Sequence, residues 1–431
     1  MTAALILIGL LVALLAGIDI AFAMAGLGIV LLLAADFSPL MIPQALMSSM
    51  DNFILLAIPL FILMANVLLR GGAGNDLFGA VQSWVGHWPG GLAVATILSC
   101  TIFASISGSS VATSATIGTV AIPAMIERGY ERRFVYGLLA AGGTLGILIP
   151  PSIPMIIFGF VTEESITDLF LAGIGPGLLL ATMFIIYAAW RARRGGAKPS
   201  EKASWAERRR CSLRAAPSLG LAALVVFGIY FGAFTPTEAA GVGFVAALII
   251  TLVLHRSLAL RDLPAIARES MKTSVMVLFI VAGAKVFAQA ITLYRIPQDV
   301  TALVVGGLTG PVLFIVAICA LLLVMGCVLE TLSMMLLMLP IIHPSLIDLG
   351  IDAIWFGVIF TMMIECALIT PPVGLNLFVI QAVARDSTGD DAPVPIGDVV
   401  RGVLPFVVII LACVGLVIAV PDIALFIPFR L

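Results

Sequence analysis

Pro150-Pro151 and Pro371-Pro372 are double prolines set inside long apolar stretches, and they lie 221 residues apart. Each proline deletes a backbone donor and stops a helix, so an apolar segment that carries two has to break. The same offset lays residues 123–130 (Pro-Ala-Met-Ile-Glu-Arg-Gly-Tyr) on residues 344–351 (Pro-Ser-Leu-Ile-Asp-Leu-Gly-Ile) with no gap between. Earlier in the chain, at an offset of 215, Gly17 and Gly26 fall on Gly232 and Gly241. The change in offset fits small insertions in loops. The second half of the chain repeats the first.

The medium is set by composition. The chain is 61% hydrophobic and 11% charged, with a mean hydropathy of +1.20, and its apolar runs reach bilayer-spanning length. These values predict an all-α polytopic membrane protein. An outer-membrane barrel would show short alternating segments instead. Apolar segments run over 2–16, 20–35, 51–69, 92–126, 134–160 and 169–190, then over 217–232, 237–254, 273–293, 311–342, 354–382 and 402–425. Segments 71–89 and 294–310 mix polar and apolar residues and read as interfacial helices. Residues 1–16 lack a basic leader and a small-residue cleavage site, so they are expected to remain as a helix.

Charge gives the two halves opposite orientation. Nine of the 22 Lys and Arg lie between Arg191 and Arg214, which places that loop in the cytoplasm. Loop 127–133 holds Arg128, Arg132 and Arg133, while its counterpart 348–354 holds only Asp348 and Asp352. Loop 255–272 holds Arg256, Arg261, Arg268 and Lys272, against Asp36 and Asp51 near 36–51. The expected organisation is therefore a first inverted repeat over 1–190, a basic cytoplasmic linker over 191–216 and a second repeat over 217–431. Counting crossings then makes 92–126 a re-entrant hairpin opening inward and 311–342 one opening outward. Inverted repeats with broken helices are the build of secondary transporters.

The polar residues gather where that build requires them. The first hairpin tip, 105–114, has seven Ser, Thr or Gly in ten residues. Unwound backbone at membrane depth survives only where protein or a cavity satisfies it. Hydroxyls and freed carbonyls are hard oxygen ligands suited to a small cation. The second tip runs over 325–333 and the second break over 369–376. Each tip is expected to meet the break of its own repeat, giving two cation sites with a substrate between them. Glu330 and Glu365 are acids at membrane depth and candidate coupling groups; Lys285 is also deep, and the sequence offers it no partner.

Other classes fare poorly. The six cysteines have no CxxC pairing, and no nucleotide-binding P-loop occurs. Neither a cofactor nor nucleic acid is expected. A serine hydrolase built on Ser107-Gly108-Ser109 would need a base among His87, His255 and His343, none of which is visibly placed for it. Tips closing at the midplane fit alternating access better than a channel.

The runs Ser-Gly-Ser-Ser-Val-Ala-Thr-Ser-Ala-Thr (107–116), Gly-Ile-Leu-Ile-Pro-Pro-Ser-Ile-Pro-Met-Ile-Ile-Phe-Gly (146–159), Phe-Thr-Pro-Thr-Glu-Ala-Ala (234–240) and Thr-Pro-Pro-Val-Gly-Leu-Asn-Leu-Phe (370–378) resemble the large membrane subunit of TRAP (tripartite ATP-independent periplasmic) transporters. The resemblance spans nearly the whole chain. It implies sodium-coupled import of a small organic acid by an elevator mechanism across a bacterial or archaeal inner membrane. It further implies a small four-helix membrane subunit, expected as a separate polypeptide, and a periplasmic substrate-binding protein. Carried over by position, one sodium site uses Ser107, Ser110, Gly146 and Ile149, and the other uses Gly326, Thr331, Thr370 and Gly374. Ser109, Thr113, Ser152 and Asn376 would contact substrate. A stand-alone sodium- or proton-coupled anion or dicarboxylate carrier of the same superfamily is the alternative.

Overall fold

A computed structural model describes residues 2–307, 310–371, 374–388 and 394–430. Pro372 and Val373 of the second break lie outside them. The described residues are helical throughout, and eight helices are long and apolar enough to cross a bilayer.

The helix order runs twice. The first pass contains α1 (Thr2–Leu15), α2 (Ile20–Ala34), α3 (Met41–Met50), α4 (Ala57–Arg70), α5 (Ala73–Val85), α6 (Gly91–Ser107), α7 (Ser110–Glu127), α8 (Arg132–Leu148), α9 (Ile153–Thr162) and α10 (Ile166–Arg194). The second contains α11 (Trp205–Tyr230), α12 (Pro236–Leu248), α13 (Leu263–Leu293), α14 (Ile296–Gly307), α15 (Pro311–Met325), α16 (Thr331–Asp348), α17 (Ala353–Leu368), α18 (Leu375–Thr388), α19 (Ile396–Ala419) and α20 (Asp422–Arg430). Both passes hold a helical hairpin (α6–α7, α15–α16) followed by an interrupted helix (α8–α9, α17–α18).

Local chemistry explains where the helices start. Asp19, Ser109, Ser152, Ser165, Ser204, Glu330 and Asp352 each accept a backbone N–H in the first turn of the helix that follows. Thr235 and Glu238 form a reciprocal capping box at α12. These caps satisfy donors for which the bilayer offers no water.

Two segments differ from the sequence expectation. Residues 36–51 read as a loop, yet α3 forms there, with Pro43 in its first turn where a missing N–H costs nothing. Segment 402–425 reads as one run, but α19 stops at Ala419 and α20 starts after Pro421. Pro421 pushes Val420 out of the helical region, to φ −131° and ψ 83°.

Burial locates the centre. Every residue from Phe134 to Leu148 in α8 and from Phe356 to Leu368 in α17 is buried, as helices apolar on all sides should be. Around α8 pack α6, α7 and α19, and α18 lies against α7. A second group joins α2 to α13 and α4 to α12. The α2–α13 crossing brings backbone to backbone: a side chain at Gly28 would meet the amide of Phe287 at 2.9 Å, and one at Gly283 would meet the carbonyl of Ala21.

Candidate functional site

The first hairpin turns at Gly108, whose φ of +59° suits glycine. Ser107 ends α6, and its hydroxyl lies 2.8 Å from that of Thr113, one turn into α7. The Thr113 hydroxyl also lies 2.9 Å from the Ser109 carbonyl, which accepts from it. Three oxygens from three residues thus gather at the tip.

This tip sits directly on the first break. A Cβ at Gly108 would lie 2.7 Å from the Pro151 carbonyl oxygen. One at Gly146 would lie 2.7 Å from the Ser109 carbonyl oxygen and 2.9 Å from the Thr113 hydroxyl. Gly146 and Ile147 are four residues before Pro150 and Pro151, so their carbonyls have no helical donor. The α8–α9 pair bends by 42° here, and the Pro150–Pro151 peptide is cis. Ile149 is extended, at φ −90° and ψ 124°, with its side chain against Gly177 of α10. Ser152, fully buried, caps α9.

The second tip and break meet in a related way. Gly326 packs against Ala367 so closely that no side chain fits, and the Cys327 thiol lies 3.9 Å from the Pro371 carbonyl. The Thr370 hydroxyl donates to the Cys366 carbonyl at 2.6 Å and also lies 4.0 Å from the Cys366 thiol. Gly374 turns at φ +46° beside the Leu368 carbonyl. Thr331 opens α16 and is buried. Asn376 follows the break, fully buried, and among the described residues neither its amide oxygen nor its nitrogen has a hydrogen-bond partner.

The two acids at membrane depth, Glu330 and Glu365, sit in different surroundings. Glu330 caps α16, accepting from the Ser333 amide at 3.1 Å and the Ser333 hydroxyl at 2.9 Å. These contacts form a helix cap, signalled by an acid three residues before a serine at a helix start. Glu365 on α17 faces the Ser110 hydroxyl of the first hairpin, yet neither carboxyl oxygen is closed into a hydrogen bond of good geometry. Sequence reasoning marked both residues but did not pair them across the two halves.

The remaining flagged groups lie apart. Lys285 stands over the Phe160 ring at 5.9 Å. It lines a cavity of about 190 Å3 between α9, α13 and α16, together with His343. His343 is therefore placed with Lys285, whereas the partner of Ser107 is Thr113.

Paired hairpins seated on broken helices, enclosed in a bundle of membrane-spanning length, define a multi-pass membrane transporter. The same fold occurs in the YdaH transporter of Alcanivorax borkumensis, with a TM-score of 0.59 at 15% identity over 89% of this chain and 87% of that one. The chain belongs to the family of the DctM component of tripartite ATP-independent periplasmic transporters, whose model matches residues 7–423. It is 39% identical to the C4-dicarboxylate TRAP transporter large permease DctM of Pseudomonas aeruginosa, over 89% of this chain and 88% of that one. It is 35% identical to the ectoine TRAP transporter large permease TeaC of Halomonas elongata, with the same coverage of 89% and 88%.

Proposed function

We propose that this chain is the membrane permease of a sodium-coupled importer for a small organic acid, fed by a periplasmic binding protein and paired with a small membrane subunit in the inner membrane. The observation that carries the reading is the seating of the first hairpin tip on the first break. There Gly146 packs on the Ser109 carbonyl and the Thr113 hydroxyl, Gly108 packs on the Pro151 carbonyl, and the Ser107 and Thr113 hydroxyls meet, all in a buried setting. Hard oxygens without a charged side chain among them suit a monovalent cation.

In this reading Ser107, Ser110, Gly146 and Ile149 hold one sodium, and Gly326, Thr331, Thr370 and Gly374 hold the other. Sodium orders both tips, and a carboxylate then completes the gap through Ser109, Thr113, Ser152 and Asn376. The unpartnered amide of Asn376 supports a polar ligand arriving there. No arginine lies in either tip, so the anion is balanced by sodium and by the starts of α7, α9, α16 and α18. The relatives' names pair C4-dicarboxylate with ectoine, so family membership leaves the substrate open within small organic acids.

Motion follows from packing. The hairpins and the buried arms α8 and α17 would travel as one body against a scaffold containing α2, α4, α12 and α13. The contrast between loops 127–133 and 348–354 supports opposite orientation of the two halves, with 191–214 in the cytoplasm.

Uptake into proteoliposomes tests this. Transport should need an inward sodium gradient, the small subunit and a cognate binding protein. Uptake unchanged when choline replaces sodium would refute the coupling, and uptake by this chain alone would favour the stand-alone carrier.

A further inference from the structure

One end of the bundle carries a basic groove that the transport reading does not use. Arg209, Arg210 and Arg214 on the first turns of α11 line it with His255, which follows α12, and it encloses about 730 Å3. Among the described residues one acid pairs with these bases: Asp76 of α5 lies 3.4 Å from Arg214 and 3.7 Å from His255. The groove keeps a net positive charge and opens outward.

Tryptophan fixes the depth of this end. Four of the five tryptophans, Trp84, Trp88, Trp190 and Trp205, stand exposed here at the ends of α5, α10 and α11. Such rings settle at the headgroup level of a bilayer. Arg194 stacks on Trp190 at 4.3 Å, and Arg208 stands 5.3 Å from Trp84 and 5.8 Å from Trp205. Trp84 also donates to the Ser212 hydroxyl at 3.0 Å, tying α5 to α11. The start of α11 is thus held against the bundle, and Arg209 and Arg210 are presented from a fixed base. Beside the groove Leu213, Val253 and Leu254 are each more than 60% exposed, a surface suited to acyl chains.

We propose that this groove binds the phosphodiester headgroup of an anionic membrane phospholipid, with Arg209, Arg210 and Arg214 as the anion ligands, His255 at its edge and the acyl chains against Leu213, Val253 and Leu254. A loop that was basic only to set topology would leave its arginines dispersed in water. Here three converge with a histidine at headgroup depth, beside exposed apolar surface. The inference rests on the membrane placement of this end and not on sodium or substrate.

The test is thermal unfolding of the purified chain in mixed micelles, titrated with phosphatidylglycerol. The midpoint should rise saturably, and phosphatidylcholine should leave it unmoved. Each arginine lost should raise the half-saturating mole fraction about fivefold, so R209Q/R210Q/R214Q should raise it roughly a hundredfold. Arg210→Gln alone keeps the measurement interpretable if the triple variant folds poorly. R261Q/R268Q/K272Q, basic residues outside the groove lining, should not shift it. Equal weakening by both triple variants, or no response in the parent chain, overturns the site. An equal response to inorganic phosphate overturns the lipid assignment.

Discussion

Gly146→Ala is the sharpest probe of the seated tip. Alanine inside a helix is ordinarily better than glycine by about 1 kcal/mol. Here the new methyl would stand 2.7 Å from the Ser109 carbonyl oxygen and 2.9 Å from the Thr113 hydroxyl, where tight side-chain contacts begin only near 3.4 Å. The nearest atom is backbone, so relief requires the hairpin tip to retreat by about 0.7 Å, the shortfall between those distances. Overpacking of this kind costs roughly 1–3 kcal/mol, leaving a net loss of about 0–2 kcal/mol in choline. The decisive quantity is the added stability in sodium. A ligand at a hundredfold excess over Kd adds about 2.7 kcal/mol, and a cation site opened by 0.7 Å loses most of its ligand contacts. The assay is thermal unfolding in sodium against choline at equal ionic strength, with Gly220→Ala as the control, because a methyl there meets nothing within 4 Å. The control should keep the full sodium shift and Gly146→Ala should lose most of it. If Gly146→Ala kept it, the tip-to-break contact would not hold the cation.

Other outcomes follow from the same geometry. Asn376→Leu should abolish uptake while raising stability by about 1 kcal/mol in substrate-free micelles, since it removes a buried amide without partners; a destabilised variant with normal uptake would contradict this. Glu330→Ala should cost about 0.5–2 kcal/mol through loss of the α16 cap, whereas Glu330→Ser should keep most of the stability and also uptake, as a capping role predicts and a coupling role does not. Ser107→Ala removes the hydroxyl contact to Thr113 and should weaken the sodium shift at least tenfold in apparent affinity, read from a sodium titration of the midpoint.

The main lines of the fold were legible because lipid imposes simple rules. Apolar runs become helices, and Pro150-Pro151 and Pro371-Pro372 mark where helices have to stop. The first tip was legible as a run of small hydroxyl residues where no packing face would put them, and the second only as its counterpart in the repeat. Three things were hidden. Apolar residues run up to Val420 and resume at Ile423, so the only traces of the α19–α20 corner in composition are Pro421 and Asp422. Met41–Met50 is only ten residues long and mixes Pro43, Gln44, Ser48 and Ser49 with apolar residues, which does not separate a short helix from a loop. The approach of Glu365 to Ser110 joins residues 255 positions apart in different halves, and neither carries a local signature of the other. Glu330 was flagged for its depth, and its relation to Ser333 three residues on adds a capping pattern that the sequence also carried.

The glycine crossing of α2 with α13 also bears on how the chain is made. Gly28 and the Phe287 backbone it touches are separated by 258 intervening residues. At roughly 5–20 residues per second, the ribosome delivers α13 on the order of 10–50 s after α2. Throughout that interval the bare flank of α2 faces lipid or the insertion machinery. The half carrying α1 to α10 reaches the bilayer with one of its closest backbone contacts still unmade, and a truncated product ending before α13 would be a ready substrate for membrane quality-control proteases.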